Sequence, residues 1–129
     1  MKEYLFSDRE LTYLGYFLFT IDGDEPEDWE QFDFGKEYLD LLNKLYNINL
    51  EIKLVYASEG KFAEEKLKKK QWKIALSEEQ IDIIVEENAV ALQSCIEDSE
   101  FEEFLEEGNS LLLKFSKPTL SKEDLLNDS

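Results

Sequence analysis

Seven carboxylates fall within twelve positions of the stretch IDGDEPEDWEQFDFG: Asp22, Asp24, Glu25, Glu27, Asp28, Glu30 and Asp33. That density suits four chemistries: cation binding, acid–base catalysis, imitation of a phosphate backbone, or the start of a helix. A calcium loop beginning at Asp22 fails on backbone grounds. Pro26 falls where the third side-chain ligand belongs, and Glu27 where the loop requires the glycine of its sharp turn. Loose Mg²⁺ or Ca²⁺ binding by the clustered acids stays open. A carboxylate pair acting on a sugar needs a deep pocket and one raised pKa, and the chain's 31 acids offer too many pairs to choose from. A helix start is well supported. Asp24 can cap the segment, Pro26 suits the first turn, and the acids complement the positive helix end. Trp29 and Phe32, three apart, would anchor that short helix on the core.

The remaining chemistry-bearing residues are few. With no histidine there is no Ser–His or Cys–His nucleophile pair, and a closed zinc or iron–sulfur site is disfavoured. Cys95 is the single cysteine, so no intramolecular disulfide forms. It sits in a helical apolar stripe that reads as core. Gly15, Gly23, Gly35, Gly60 and Gly108 form neither a P-loop nor a dinucleotide fingerprint. No enzyme, no cofactor and no resident metal are expected.

Charge is the strongest signal. The 129 residues carry a formal net charge of −17. It is segregated: eight acids and no base lie between Arg9 and Lys36, and twelve acids and no base between Ile74 and Leu113. Lys61, Lys66, Lys68, Lys69, Lys70 and Lys73 form a basic island between them. Direct binding to nucleic acid needs Lys and Arg against phosphates, and an anionic membrane repels such a chain. A basic protein is the natural counterpart. The N-terminus MKEYLFSDRE lacks the apolar stretch of a signal peptide, and the longest apolar run, Leu14 to Phe19, is far short of a membrane span. A soluble, cytoplasmic protein is expected.

Periodicity supplies the elements that must position these charges. LTYLGYFLFTI (11–21) is apolar on both alternating faces and predicts a strand covered on both sides, with a buried helix as the competing assignment. Tyr38, Leu39, Leu42, Leu45 and Tyr46 recur at helical spacing and predict a helix from about Phe34 to Tyr46. INLEIKLVY (48–56) alternates and predicts a half-exposed strand. Glu64–Lys68 and Glu65–Lys69 favour a helix, and QWKIAL a third strand. Ser77 to Gln80 is a capping-box pattern opening a helix, which breaks near Asp98–Ser99 into a short acidic helix stopped by Gly108. SLLLKF (110–115) predicts a fourth strand, ended by Pro118.

The expected fold is therefore α+β: a single acidic globular domain over 1–129, with a mostly antiparallel sheet of about four strands backed by helices. Residues 118–129 are expected as a flexible tail or a short terminal helix.

Size, acidity and the lack of catalytic equipment predict a protein-binding inhibitor. The expected type is a bacterial immunity or antitoxin protein neutralising a basic toxin such as a nuclease. The residues expected to bind are Asp22, Asp24, Glu25, Glu27, Asp28, Trp29, Glu30 and Asp33, together with Glu100, Glu102, Glu103, Glu106 and Glu107. Trp29, Phe32 and Phe101 are the candidate anchors. One alternative is a phage-type nucleic-acid mimic. Another is a small carboxylate-dependent enzyme or ligand-binding protein, walled by Tyr13, Tyr16, Trp29 and Trp72. Oligomeric state is left open, since the lysine island is either a solvated helix or a patch for another subunit's acidic face.

Overall fold

The computed structural model describes residues 1–19 and 35–127. The acidic stretch at 22–33, with its expected helix start and its anchors Trp29 and Phe32, lies outside the described residues. Two strands, β1 (Lys2–Ser7) and β2 (Gln71–Leu76), accompany α1 (Asp8–Thr12), α2 (Lys36–Glu59), α3 (Ala63–Lys68), α4 (Glu78–Ser94), α5 (Phe101–Lys114) and α6 (Lys122–Asn127). A π-helical segment, Tyr13–Leu18, continues α1, and a 3₁₀ turn, Gly60–Phe62, joins α2 to α3.

The expected four-stranded α+β sheet is thus corrected to a mostly helical fold around a two-stranded antiparallel ribbon. β1 pairs with β2 in a register running from Lys2↔Leu76 to Ser7↔Gln71. Phe6, Trp72, Ile74 and Leu76 are buried on one face with Tyr4 partly covered, while Glu3, Leu5, Gln71 and Lys73 lie on the open face. Such a ribbon is marginal alone. Its apolar face is completed by helices, and Phe6, Leu14, Leu41, Leu67, Leu76, Ile84 and Leu111 form the most deeply buried part of the core.

Each strand runs directly into a helix through a serine. Ser7 Oγ accepts from Glu10 N while Ser7 N donates to Glu10 Oε1, and Ser77 with Gln80 repeats the arrangement. These reciprocal bonds satisfy first-turn N–H groups that a helix cannot satisfy internally. Gln80, wholly buried, extends its cap into the core. Its Nε2 donates to Glu37 O and Asp40 Oδ2, and its Oε1 also accepts from Lys44 Nζ at 3.3 Å. This joins α2 to the β2–α4 corner.

Three expected strands are helical. Residues 11–21 are expected as a strand with a buried helix as the competing assignment, and through Leu18 the chain is helical. Leu11, Tyr13, Leu14, Gly15 and Leu18 are buried, and Phe19 N donates to Leu14 O across five residues, the π-type bond. Residues 48–56 continue α2. Leu45, Asn49 and Ile52 keep the buried stripe at helical spacing, while Leu50 and Leu54 are exposed. No glycine or proline interrupts the helix after Tyr46, and extending a formed helix costs far less than starting a strand. It ends at Gly60, whose φ of +56° glycine adopts without strain.

Residues 110–115 belong to α5, which passes through Gly108 instead of stopping there. α5 closes at Ser116, where φ is +59°, with Lys117 N donating to Leu112 O and Ser116 N to Leu113 O. This is a Schellman close with Pro118 just beyond. The terminal segment is a short docked helix. Ser121 and Asp124 cap α6, Leu125 is buried, and Asn109 exchanges two hydrogen bonds with Leu120.

Gly108 has a packing role. Tyr13 donates its hydroxyl to Asn88 Oδ1, and both groups press on the Gly108 backbone. A Cβ there would stand 2.6 Å from Asn88 Oδ1 and 2.9 Å from the Tyr13 hydroxyl. On an open helix Gly→Ala gains about 1 kcal/mol. Here the sign reverses: Gly108→Ala is expected to destabilise by about 1–3 kcal/mol through overpacking. Urea denaturation with an unchanged m-value checks this, and a stabilised variant would contradict the tight contact.

Candidate functional site

The acids expected to bind a partner divide by environment. On α5, Glu102, Glu106, Ser110 and Leu113 fall on one helical face, with Glu103 at its margin, and all five are exposed. Glu97, Asp98 and Glu100 are exposed in the turn just before it. Among the described residues no base forms an ion pair with any of these six carboxylates. Lys122, close by, sits over the Phe101 ring.

Glu107 differs. Its side chain is only 14% exposed and pairs with Arg9. Burial pushes its carboxyl up, Arg9 draws it back, and Glu10 and Glu106 raise it further. Glu10 pairs with Lys114 at 3.3 Å. Glu107 is therefore engaged within the molecule, tying α1 to α5. Phe101 is 2% exposed, so it is a core residue and not an exposed anchor, whereas Leu113 at 66% stands free on the acidic face. Asp22, Asp24, Glu25, Glu27, Asp28, Trp29, Glu30 and Asp33 lie outside the described residues.

The lysine island is partly balanced within the molecule. Lys66 meets Glu59 at 2.7 Å and Lys73 meets Glu3 at 3.6 Å, while Lys70 lies over the Trp72 ring. Cys95 is partly buried, and burial followed by Asp98 pushes its thiol up. No group of three or more Cys, Asp or Glu among the described residues converges on a point that could hold a metal ion. No helix among them is long and apolar enough to cross a membrane.

A second feature went unnoticed in the sequence. The π-helical segment leans on α2 and leaves a cleft of about 330 Å³. Leu11, Leu45, Ile48 and Ile52 give it an apolar lining, and Asp8, Tyr16 and Tyr56 line it as well. A second depression shares Asp8, Thr12 and Tyr56 and reaches Glu64 and Lys68. Burial, then Glu64, raises the Asp8 carboxyl, and partial burial with Asp8, Glu64 and Tyr16 raises the Tyr56 phenol. Asn49 also lines the cleft, 8% exposed.

Of the four aromatic walls expected for a ligand site, Tyr16 alone lines this cleft among the described residues. Tyr13 is buried with its hydroxyl on Asn88, Trp72 is buried in the ribbon with Nε1 donating to Glu51, and Trp29 lies outside the described residues. The available signal was Asn49, a polar residue on the apolar stripe of a helix. Strand periodicity pointed it outward instead.

Compared with known proteins, the chain matches no protein-family model, no curated protein and no solved structure.

The Arg9–Glu107 pair yields a prediction with a defined sign. Without Arg9, the Glu107 carboxyl rises further above its ordinary 4.5. A raised carboxyl contributes stability at low pH that is lost as pH rises through its folded value. Arg9→Met should cost about 1 kcal/mol near neutral pH, discounted for the exposed arginine, and less as the pH approaches about 4.5. Thermal unfolding across that range checks it, and a pH-independent deficit would assign the loss to packing alone.

Proposed function

We propose that this chain is a protein-binding inhibitor of the immunity or antitoxin kind, acting in the cytoplasm on a basic toxin such as a nuclease. The observation that carries the proposal is the α5 face. Glu102, Glu103 and Glu106 are exposed and unpaired among the described residues, with Glu97, Asp98 and Glu100 leading into them.

Five other acids are matched internally: Glu3 with Lys73, Glu10 with Lys114, Asp40 with Lys44, Glu59 with Lys66 and Glu107 with Arg9. Leaving one face of like charge unmatched stores repulsion that a cationic partner relieves. Opposed fields also speed encounter, while a small apolar anchor at the centre slows release. Leu113, on the same face, suits that second task. α4 repeats the pattern more weakly, with Glu79, Asp82 and Glu86 followed by exposed Val90.

The test is affinity capture from the native host by the immobilised chain, at low and high salt, beside the triple variant Glu102→Gln, Glu103→Gln and Glu106→Gln. A basic protein should be retained at low salt, released at high salt, and held at least about tenfold more weakly by the variant. If the captured protein binds the variant and the wild type alike, the electrostatic account of this face is wrong.

A further inference from the structure

The cleft between Tyr13–Leu18 and α2 is lined by different residues from the α5 face, and three observations about it converge. The first is Asn49. It is 8% exposed and lines the cleft, and since Asn88 Nδ2 alone among the described residues is a buried side-chain polar atom without a partner, the Asn49 amide opens onto the cleft. A polar group on an otherwise apolar stripe, opening onto a cleft, is placed to meet a ligand group there. Gln80, the comparable amide in the core, has every polar atom engaged.

The second is Asp8. Its carboxylate is partly buried beside the cleft and has no cationic partner among the described residues, while Arg9 next to it is committed to Glu107. The third is the lining. Leu11, Leu45 and Ile52 offer an apolar bed, and Tyr16, Tyr56 and Asp8 line the same cleft. Aromatic rings and a desolvated carboxylate together favour a cation that carries an apolar body. A net charge of −17 concentrates such cations and repels anions. The cleft volume, about 330 Å³, lies at the small end of the usual range for ligand sites.

We infer that this cleft binds a small organic amine of about one ring. Its ammonium meets Asp8, its apolar body lies on Leu11, Leu45 and Ile52, and a hydroxyl at its far end meets the Asn49 amide. A π-helical segment is a common way to open such a space, because its extra residue per turn displaces side chains that would otherwise pack against the next helix.

Tyramine is the probe, followed on the full chain by two-dimensional ¹⁵N NMR beside two analogues: tyrosol, which lacks the ammonium, and 4-hydroxyphenylacetate, which reverses the charge. Tyramine should perturb the amides of Thr12, Gly15, Asn49 and Ile52 saturably. Tyrosol should bind about tenfold more weakly, and the acid more weakly still. Asn49→Leu should raise the melting temperature while weakening tyramine about tenfold, because it extends the apolar stripe of α2 and removes the ligand's hydrogen bond. Asp8→Asn should bring tyramine and tyrosol to similar affinities. The inference is overturned if tyramine shows no saturable effect at these residues, if its effects concentrate on α5, or if the acid binds as well as the amine. Undiminished tyramine affinity in Asn49→Leu would overturn it too.

Discussion

Two strands from opposite halves of the chain pair edge to edge, and each runs without a loop into a helix capped by its own serine. The other packing relations descend from that pairing. It sends α1 and α4 off from diagonally opposite corners of one ribbon and gives Phe6, Trp72, Ile74 and Leu76 a common buried face. A two-stranded ribbon has little stability of its own, so its apolar face must be roofed by helices. Gln80 makes the arrangement specific. It is at once a cap for α4 and a fully bonded buried group that receives α2. The Asp40 carboxyl is held below its ordinary range by hydrogen bonds from Lys44 and Gln80, which ties the same junction to its charged state.

The three buried amides among the described residues, Gln80, Asn88 and Asn49, behave differently. Gln80 is saturated. Asn88 accepts from Tyr13 while its Nδ2 finds no partner among the described residues, inside a knot closed by Gly108. Its cost is offset by a contact that fixes how the π-helical segment meets α4 and α5. Phe17 stacks on Phe104 at 4.3 Å just beyond it, linking the main core to the smaller cluster of Leu92, Phe101 and Leu125. Asn49 has no such internal use and borders an open cleft, which is why it weighs more as a ligand group than as a structural one.

Much of the local structure was legible because its cause is local. The Ser77–Gln80 box, the alternation of Gln71–Leu76, the helical stripe of residues 38–46 and the break near Asp98 each depend on neighbours a few positions away. The Ser7–Glu10 box follows the same rule and was readable, yet β1 drew no assignment beside it. The failures at 48–56 and 110–115 share a different cause. Short apolar runs satisfy both periods, and what decides between them is which faces neighbouring elements cover. Leu50, Leu54 and Leu113 are left exposed by helices whose other faces are buried. Gly108 misled for a related reason, since a glycine can end a helix or admit close packing against it, and only the presence of Asn88 and Tyr13 selects the second.

Charge follows the same division. Composition and spacing alone establish the excess of acid, its segregation, the absence of histidine chemistry, and the caps that start helices, because these need no knowledge of distant contacts. Only the tertiary structure separates carboxylates that are matched, such as Glu107, from those left open on α5. Only it turns Asn49 from an outward strand residue into the polar group of an apolar cleft. Ion pairs and clefts are built between segments far apart in the chain, and a one-dimensional pattern carries no record of which segments will meet.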